Sequence, residues 1–171
     1  DDREVMSLDE LIEAFSLQRV NKSAAIFDLQ KLNWLNSEHL SNKDTKTLAA
    51  ELRPELDNAG LPCEDDDYFE RVVELLKSRL HFRKEFVDYA DYYFKDPESY
   101  DPKVVKKRWK DDSAKLLLEF KENISKLDSF SKEQLEIVLR ELAEKHNVGS
   151  GRIIHPLRLA VSGVGVGPGL F

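Results

Sequence analysis

Along this chain a Ser or Asp repeatedly stands just ahead of apolar residues spaced three and four apart, and apolar and polar residues nowhere alternate for long. A side-chain oxygen at the N-cap followed by a 3.6-residue apolar period is the signature of a helix, not a strand. The plainest case is Ser7-Leu-Asp-Glu10, where Ser7 at the N-cap and Glu10 three residues on form a capping box. Leu8, Leu11, Ile12 and Phe15 follow as one stripe. Asp28 is placed to cap a second helix, in which Leu29, Leu32 and Leu35, with Trp34 beside them, are expected to bury one face. Ser41-Asn-Lys-Asp44 reads as a third cap, opening a helix with Leu48 and Leu52 inward that Pro54 is expected to end or kink. With Gly and Pro sparse until residue 149, the expected class is all-α.

The remaining helices follow the same logic. One is expected from about Asp65, with Phe69, Val72, Val73 and Leu76 on one face and acids at its positive end. Residues 85–94 read as another. Asp96-Pro97 and Asp101-Pro102 bracket a break, because the residue before Pro is pushed out of the helical region. Pro102 suits a first helical position behind Asp101, and Val105, Trp109, Leu116, Leu117 and Phe120 are expected to carry one helix to about Asn123. Ser131-Lys-Glu-Gln134 reads as a second capping box, with Leu135, Val138, Leu139 and Leu142 inward and Gly149 as the stop. Ile153 to Val161 is a short apolar run that periodicity alone leaves open between strand and helix.

Composition narrows the chemistry. No 18-residue apolar stretch is present, so no membrane span is expected, and the acidic N-terminus does not read as a signal peptide. The single Cys63 cannot form an internal disulfide and is expected to be inert. His39, His81, His146 and His155 show no metal-ligand spacing, and no Ser-His-Asp grouping has local support. The Gly163–Gly169 stretch matches neither a Walker loop nor a dinucleotide fingerprint and reads as a flexible turn.

Thirty-three acids against 26 Lys and Arg leave a net charge of −7, which argues mildly against nucleic acid. Binding depends on the local field within about 8–10 Å, however, and three basic clusters stand out. They are Lys77/Arg79/Arg83/Lys84, Lys103/Lys106/Lys107/Arg108/Lys110, and Arg140/Lys145/Arg152/Arg158 with His146 and His155. On composition each is first a solvated helix face, and an all-α protein–protein interaction module remains the alternative reading.

Residue order adds a resemblance. The run Phe15-Ser-Leu-Gln-Arg-Val-Asn-Lys-Ser-Ala-Ala-Ile-Phe-Asp-Leu-Gln-Lys-Leu-Asn-Trp-Leu-Asn36 resembles the segment after the catalytic domain of bacterial glutamyl-tRNA synthetases. His155-Pro-Leu-Arg-Leu-Ala-Val-Ser-Gly163 and Gly167-Pro-Gly-Leu-Phe171 resemble that family's closing motifs. Together the matches span essentially the whole chain. They imply two helical subdomains forming the anticodon-binding helix cage of a class I aminoacyl-tRNA synthetase: the end of a stem-contact region at 1–43, then subdomains at 44–95 and 96–171. The family also places a helix over Ile153–Val161.

The resemblance carries residue roles with it. Arg79 falls on the family's reader of the third anticodon base, C for glutamate against G for glutamine. Arg140 and Arg158 fall on two further anticodon contacts, and the Pro168-Gly169-Leu170-Phe171 turn on a surface for splayed bases. Arg19, Lys22 and Ser23 fall in the weaker stem-contact segment. Gly167 stands where some members carry a Thr that can bond a base, so that contact is not expected here. The middle basic cluster matches no family contact and keeps the reading of a solvated face. The HIGH-like and KMSKS-like motifs are absent, so this chain is expected to be inactive by itself and to hold no cofactor. ATP and Mg would belong to a catalytic domain preceding it. The implied partner is glutamate tRNA, with no DNA and no membrane, in a monomeric cytoplasmic protein.

Overall fold

The computed structural model describes residues 3–20, 23–24 and 26–171. It is helical throughout, with no strand among the described residues. The backbone divides into two compact units, Asp1–Ala90 and Asp91–Phe171.

In the first unit, α1 (Leu8–Ala14) starts from the expected box: Ser7 accepts from the Glu10 amide while the Glu10 carboxylate takes the Ser7 N–H. Its apolar stripe is a different matter, since α1 buries no residue and Leu8 and Phe15 stay exposed. In α2 (Leu29–Asn42) Asp28 accepts from the amides of Gln30 and Lys31. The expected buried face fails here too: Leu29 and Leu32 are exposed, Leu35 is half-buried and only Leu40 is buried. Capping needs only the adjacent backbone, whereas burial needs a partner surface, and α2 finds one against the Lys77–Arg79 turn.

Packing tightens in α3 (Thr45–Asn58), capped by Asp44, and α4 (Asp66–Leu76), capped by Asp65. Leu48, Leu52, Leu56, Val73 and Leu76 have no exposed surface. Pro54 does not end α3, which runs four residues beyond it. The stop is Gly60, at φ 69°, where the Gly60 and Leu61 amides return to the carbonyls of Asp57 and Leu56. This two-bond closure needs a left-handed residue, and the buried Leu61 seals it against Leu56. The expected 85–94 helix is broken up. A 3-10 turn at Arg83–Glu85 leads into α5 (Phe86–Ala90), and another follows at Asp91–Tyr93. Phe86 is fully buried and meets the Phe69 ring edge-on at 5.8 Å.

In the second unit, Asp101 caps α6 (Pro102–Arg108) with Pro102 at its first turn. The helix stops there instead of continuing to Asn123. Trp109 turns extended, and the fully buried Ser113 accepts the Lys110 amide as α7 (Ser113–Ile124) begins. A buried hydroxyl needs a partner, and this bond supplies it by breaking the helix. In α8 (Lys132–Lys145) Ser131 accepts from the Gln134 amide, but the Gln134 side chain takes a hydrogen bond from Ser129, so only half of the expected box forms. Asn147, at φ 52°, and not Gly149, closes α8. Residues 151–162 form α9 (Gly151–Ser162), settling the choice left open by periodicity. Leu116, Phe120, Leu139, Leu142 and Ile153 make the core of this unit, with Phe171 packed on its edge.

Within the glycine-rich end, Gly163, Gly165 and Gly167 pack closely against neighbours, while Val166 and Gly169 are exposed. Gly163 ends α9 at φ 74°, and a Cβ there would lie 2.5 Å from the Ser99 carbonyl oxygen. Its own carbonyl accepts the Asp101 amide at 2.9 Å, tying the end of α9 to the start of α6.

Candidate nucleic-acid interface

Arg79 lies in a turn held on both sides by burial and hydrogen bonds. Leu76 and Leu80 on either side of it are fully buried. The Glu85 carboxylate accepts the amides of His81 and Phe82 at 2.9 and 3.1 Å, and Asn36 on α2 donates to the His81 carbonyl. Of the four cations in this cluster, Lys77 pairs with Glu74 at 2.8 Å, Arg83 with Glu51 at 3.3 Å, and Lys84 sits over the Phe82 ring at 5.6 Å. Arg79 is exposed and has no ion pair among the described residues. A guanidinium on a rigid turn with no carboxylate to satisfy it is free to bond an incoming acceptor. Glu51 also accepts from Lys43 at 2.6 Å. That bond first, then the charges of Lys43 and Arg83, holds its carboxyl below the ordinary glutamate value.

Arg140 is exposed on α8 and paired with Glu136 one turn back. It lines a cavity of 400 Å³ together with Phe171, Leu139, Val148 and Ile154. Arg158 on α9 is half-buried, and its Nη2 donates to the Pro168 carbonyl at 2.7 Å, so it holds the closing turn in place. Pro168 is buried, Gly169 exposed, and Leu170 and Phe171 half-buried. A Cβ at Gly167 would come 2.7 Å from Arg158 Nη1, so the small residue there leaves the guanidinium its place. The structure thus brings Arg158 to the Pro168–Phe171 turn and Arg140 to Phe171. Arg79 belongs to the other unit. Arg19 and Ser23 are both exposed, Arg19 ending a 3-10 turn, while Lys22 falls outside the described residues.

The rest of the third cluster is spent on internal pairs. Lys145 and His146 both reach Glu119, at 2.6 and 2.7 Å, binding α8 to α7 and lowering the Glu119 pKa, Lys145 the more strongly. Arg152 reaches Asp112 at 2.6 Å. In the middle cluster Lys103, Lys106, Lys107 and Lys110 are exposed, as on a solvated face, and Arg108 is half-buried. Because α6 is short, Lys106, Lys107 and Arg108 occupy its last turn, where the dipole favours cations. Lys107, Arg108 and Lys110 have no carboxylate partner among the described residues. No sequence signal assigns them a role, because nothing local says that residues 107–110 meet residues 149–155 in space. No group of three or more potential metal ligands occurs among the described residues, and no described helix is long and apolar enough to cross a membrane.

The second unit is a helical domain with Arg140 and Arg158 set about its packed closing turn, and comparison with known proteins places the chain in a family. Residues 47–171 match the anticodon-binding-domain family, to which the chain therefore belongs. It is 41% identical to a glutamate–tRNA ligase of Chloroherpeton thalassium and 39% identical to one of Pelodictyon phaeoclathratiforme, in each case over 99% of this chain and 36% of the relative. The chain therefore spans about a third of the length of these curated relatives. Among solved structures it resembles a glutamate tRNA ligase from Elizabethkingia meningosepticum in complex with its amino acid. The TM-score is 0.88 and the identity 32%, covering 97% of this chain and 33% of that one. A second, glutamate-tRNA synthetase from Elizabethkingia anophelis, gives 0.82 at 29%. Family membership decides between the two readings of the sequence in favour of anticodon binding over a protein–protein module.

Proposed function

We propose that the chain is the anticodon-holding part of a glutamate–tRNA ligase, gripping the anticodon loop of glutamate tRNA while a separate catalytic part attaches glutamate. ATP and Mg serve that catalytic part, and the protein works as a cytoplasmic monomer. Residues 1–43 close the stem-contact region, and 44–95 and 96–171 are the two anticodon subdomains. An anticodon loop presents unstacked bases, which proteins read by hydrogen bonds to base edges and by stacking. Arg79 reads the third base, since its planar fork can bond two acceptors at once. Arg140 and Phe171 frame a cavity that admits an unstacked base. Arg158 keeps the Pro168–Phe171 turn in shape through the Pro168 carbonyl, so that Gly169 and Leu170 present backbone to the loop. Arg19, Lys22 and Ser23 contact the stem more weakly.

The observation that supports this reading most is the exposed, unpaired Arg79 on a hydrogen-bonded turn. Fluorescence anisotropy with labelled transcripts tests it. The chain should bind glutamate tRNA more tightly than the same transcript with G in place of C at the third anticodon position. Equal affinity for both and for an unrelated RNA hairpin would refute it. The isolated chain should support no glutamate-dependent pyrophosphate exchange, and detecting exchange would overturn the division of labour.

A further inference from the structure

Ion pairs do not absorb every cation of the second unit: Lys107, Arg108 and Lys110 have no carboxylate partner among the described residues. The end of α6 and the opening of α9, with the residues flanking them, line an open cavity of about 350 Å³: Lys107, Arg108, Lys110, Gly149, Gly151, Arg152 and His155. Of these side chains Arg152 is paired, with Asp112 at 2.6 Å. Lys107 and Lys110 are exposed, Arg108 and His155 half-buried. His155 records the resulting field. Burial pushes its pKa below the ordinary histidine value, and Arg108, Arg158 and Lys107 push it further, with no carboxylate acting the other way. At Gly149 a Cβ would meet nothing within 4 Å, so the backbone ahead of α9 is open there, and Ser150 supplies no side-chain cap to the helix. The positive end of the α9 dipole therefore adds to the same field.

Such an arrangement costs free energy in the isolated protein, because like charges held together repel. An anion relieves the repulsion. Apart from its two glycines the lining is all Lys, Arg and His, and the cations come from two elements set about one space, which suits an anion. We propose that this cavity is a phosphodiester-binding site, which clamps the RNA backbone of the bound tRNA without reading its sequence. The inference rests on the tRNA-binding reading above and adds a surface outside the residues assigned there to the bases. Arg79 discriminates and this cavity holds.

The experiment uses the 171-residue chain and labelled glutamate and glutamine tRNAs over a range of salt concentrations. The double variant Lys107→Ala/Lys110→Ala removes two exposed side chains and should keep the wild-type melting temperature. Its affinity should fall by the same factor for both tRNAs. The slope of log affinity against log salt should become shallower by about 0.7 for each phosphate no longer neutralised, about 1.4 for the pair. Lys121→Ala/Lys126→Ala removes the same charge from exposed positions elsewhere in the second unit and should leave the slope at its wild-type value. If the two double variants lose affinity alike, or the first leaves affinity and slope unchanged while the wild-type chain binds tRNA, the cavity is not a phosphate site. If the wild-type chain binds neither tRNA, the tRNA-binding reading itself falls and takes this inference with it.

Discussion

The 77–85 turn of the first unit and the 107–155 cavity of the second are both rich in Lys and Arg, yet they dispose of the charge in opposite ways. In the turn, Glu51 and Glu74 neutralise two of the four cations and the Phe82 ring covers a third, leaving Arg79 alone. At the cavity Arg152 is paired with Asp112, while Lys107, Arg108 and Lys110 have no carboxylate partner among the described residues. The first arrangement isolates a single directional donor on a rigid support. The second builds a diffuse positive field. A lone fork suits a base edge, which is recognised by geometry, and a pooled field suits a phosphate, which is recognised by charge.

Removing the lone donor should break the contrast most sharply. Arg79→Gln should cut the preference for C over G at the third anticodon position by up to roughly a hundredfold, since a bidentate Arg contact carries ~1–3 kcal/mol of base discrimination. Competition binding between the two transcripts measures this, and an equal loss for both would make Arg79 a backbone contact. Next in size is the support beneath it. Glu85→Ala strips the acceptor from the His81 and Phe82 amides and should cost about 2 kcal/mol in chemical denaturation, while weakening discrimination without touching Arg79. Glu85→Gln, which keeps an acceptor, should recover roughly half of the loss.

Sharpening the second region needs a gentler change. Asp112→Asn keeps a hydrogen-bond acceptor for Arg152 but removes the opposing charge, so affinity for both tRNAs should rise by about threefold, of the order expected for one partly exposed pair. No change, or a loss for one tRNA only, would mean that the cavity does not act through its field. Smallest is the effect of Glu51, whose pKa is depressed by the Lys43 hydrogen bond and then by the Lys43 and Arg83 charges. A depressed carboxyl contributes stability above its unfolded pKa and loses it as pH falls through the lower, folded value. Glu51→Gln should therefore cost no more than about 0.5 kcal/mol at pH 7 and leave the variant and wild type equally stable well below pH 4. Melting curves across pH 3 to 7 would show the two converging.

What could be read without coordinates was whatever depends on a few consecutive residues. The caps at Ser7, Asp28, Asp101 and Ser131 all form, because a side-chain oxygen needs only the amides two or three residues ahead, and in the Ser41–Asp44 run Asp44 caps α3 while Ser41 lies in the last turn of α2. The helical class followed from the same local physics, and the two motif runs led to the anticodon-binding family. Errors arose wherever a distant partner decides. Leu8, Leu29 and Leu32 carry a helical apolar period but find no surface to cover them. The single helix expected over 102–123 is cut at Trp109 because Ser113 is buried and claims the Lys110 amide. Which cations of the basic clusters are paired is mostly invisible in the chain, because carboxylates such as Glu119 and Asp112 lie far from their partners in sequence. Glu119, Glu136 and Asp112 absorb most of the third cluster, while the middle one, set aside as a solvated face, stays unpaired beside α9. Charge is a property of sequence, but the free field around a charge is decided by which opposite charges the fold brings within reach.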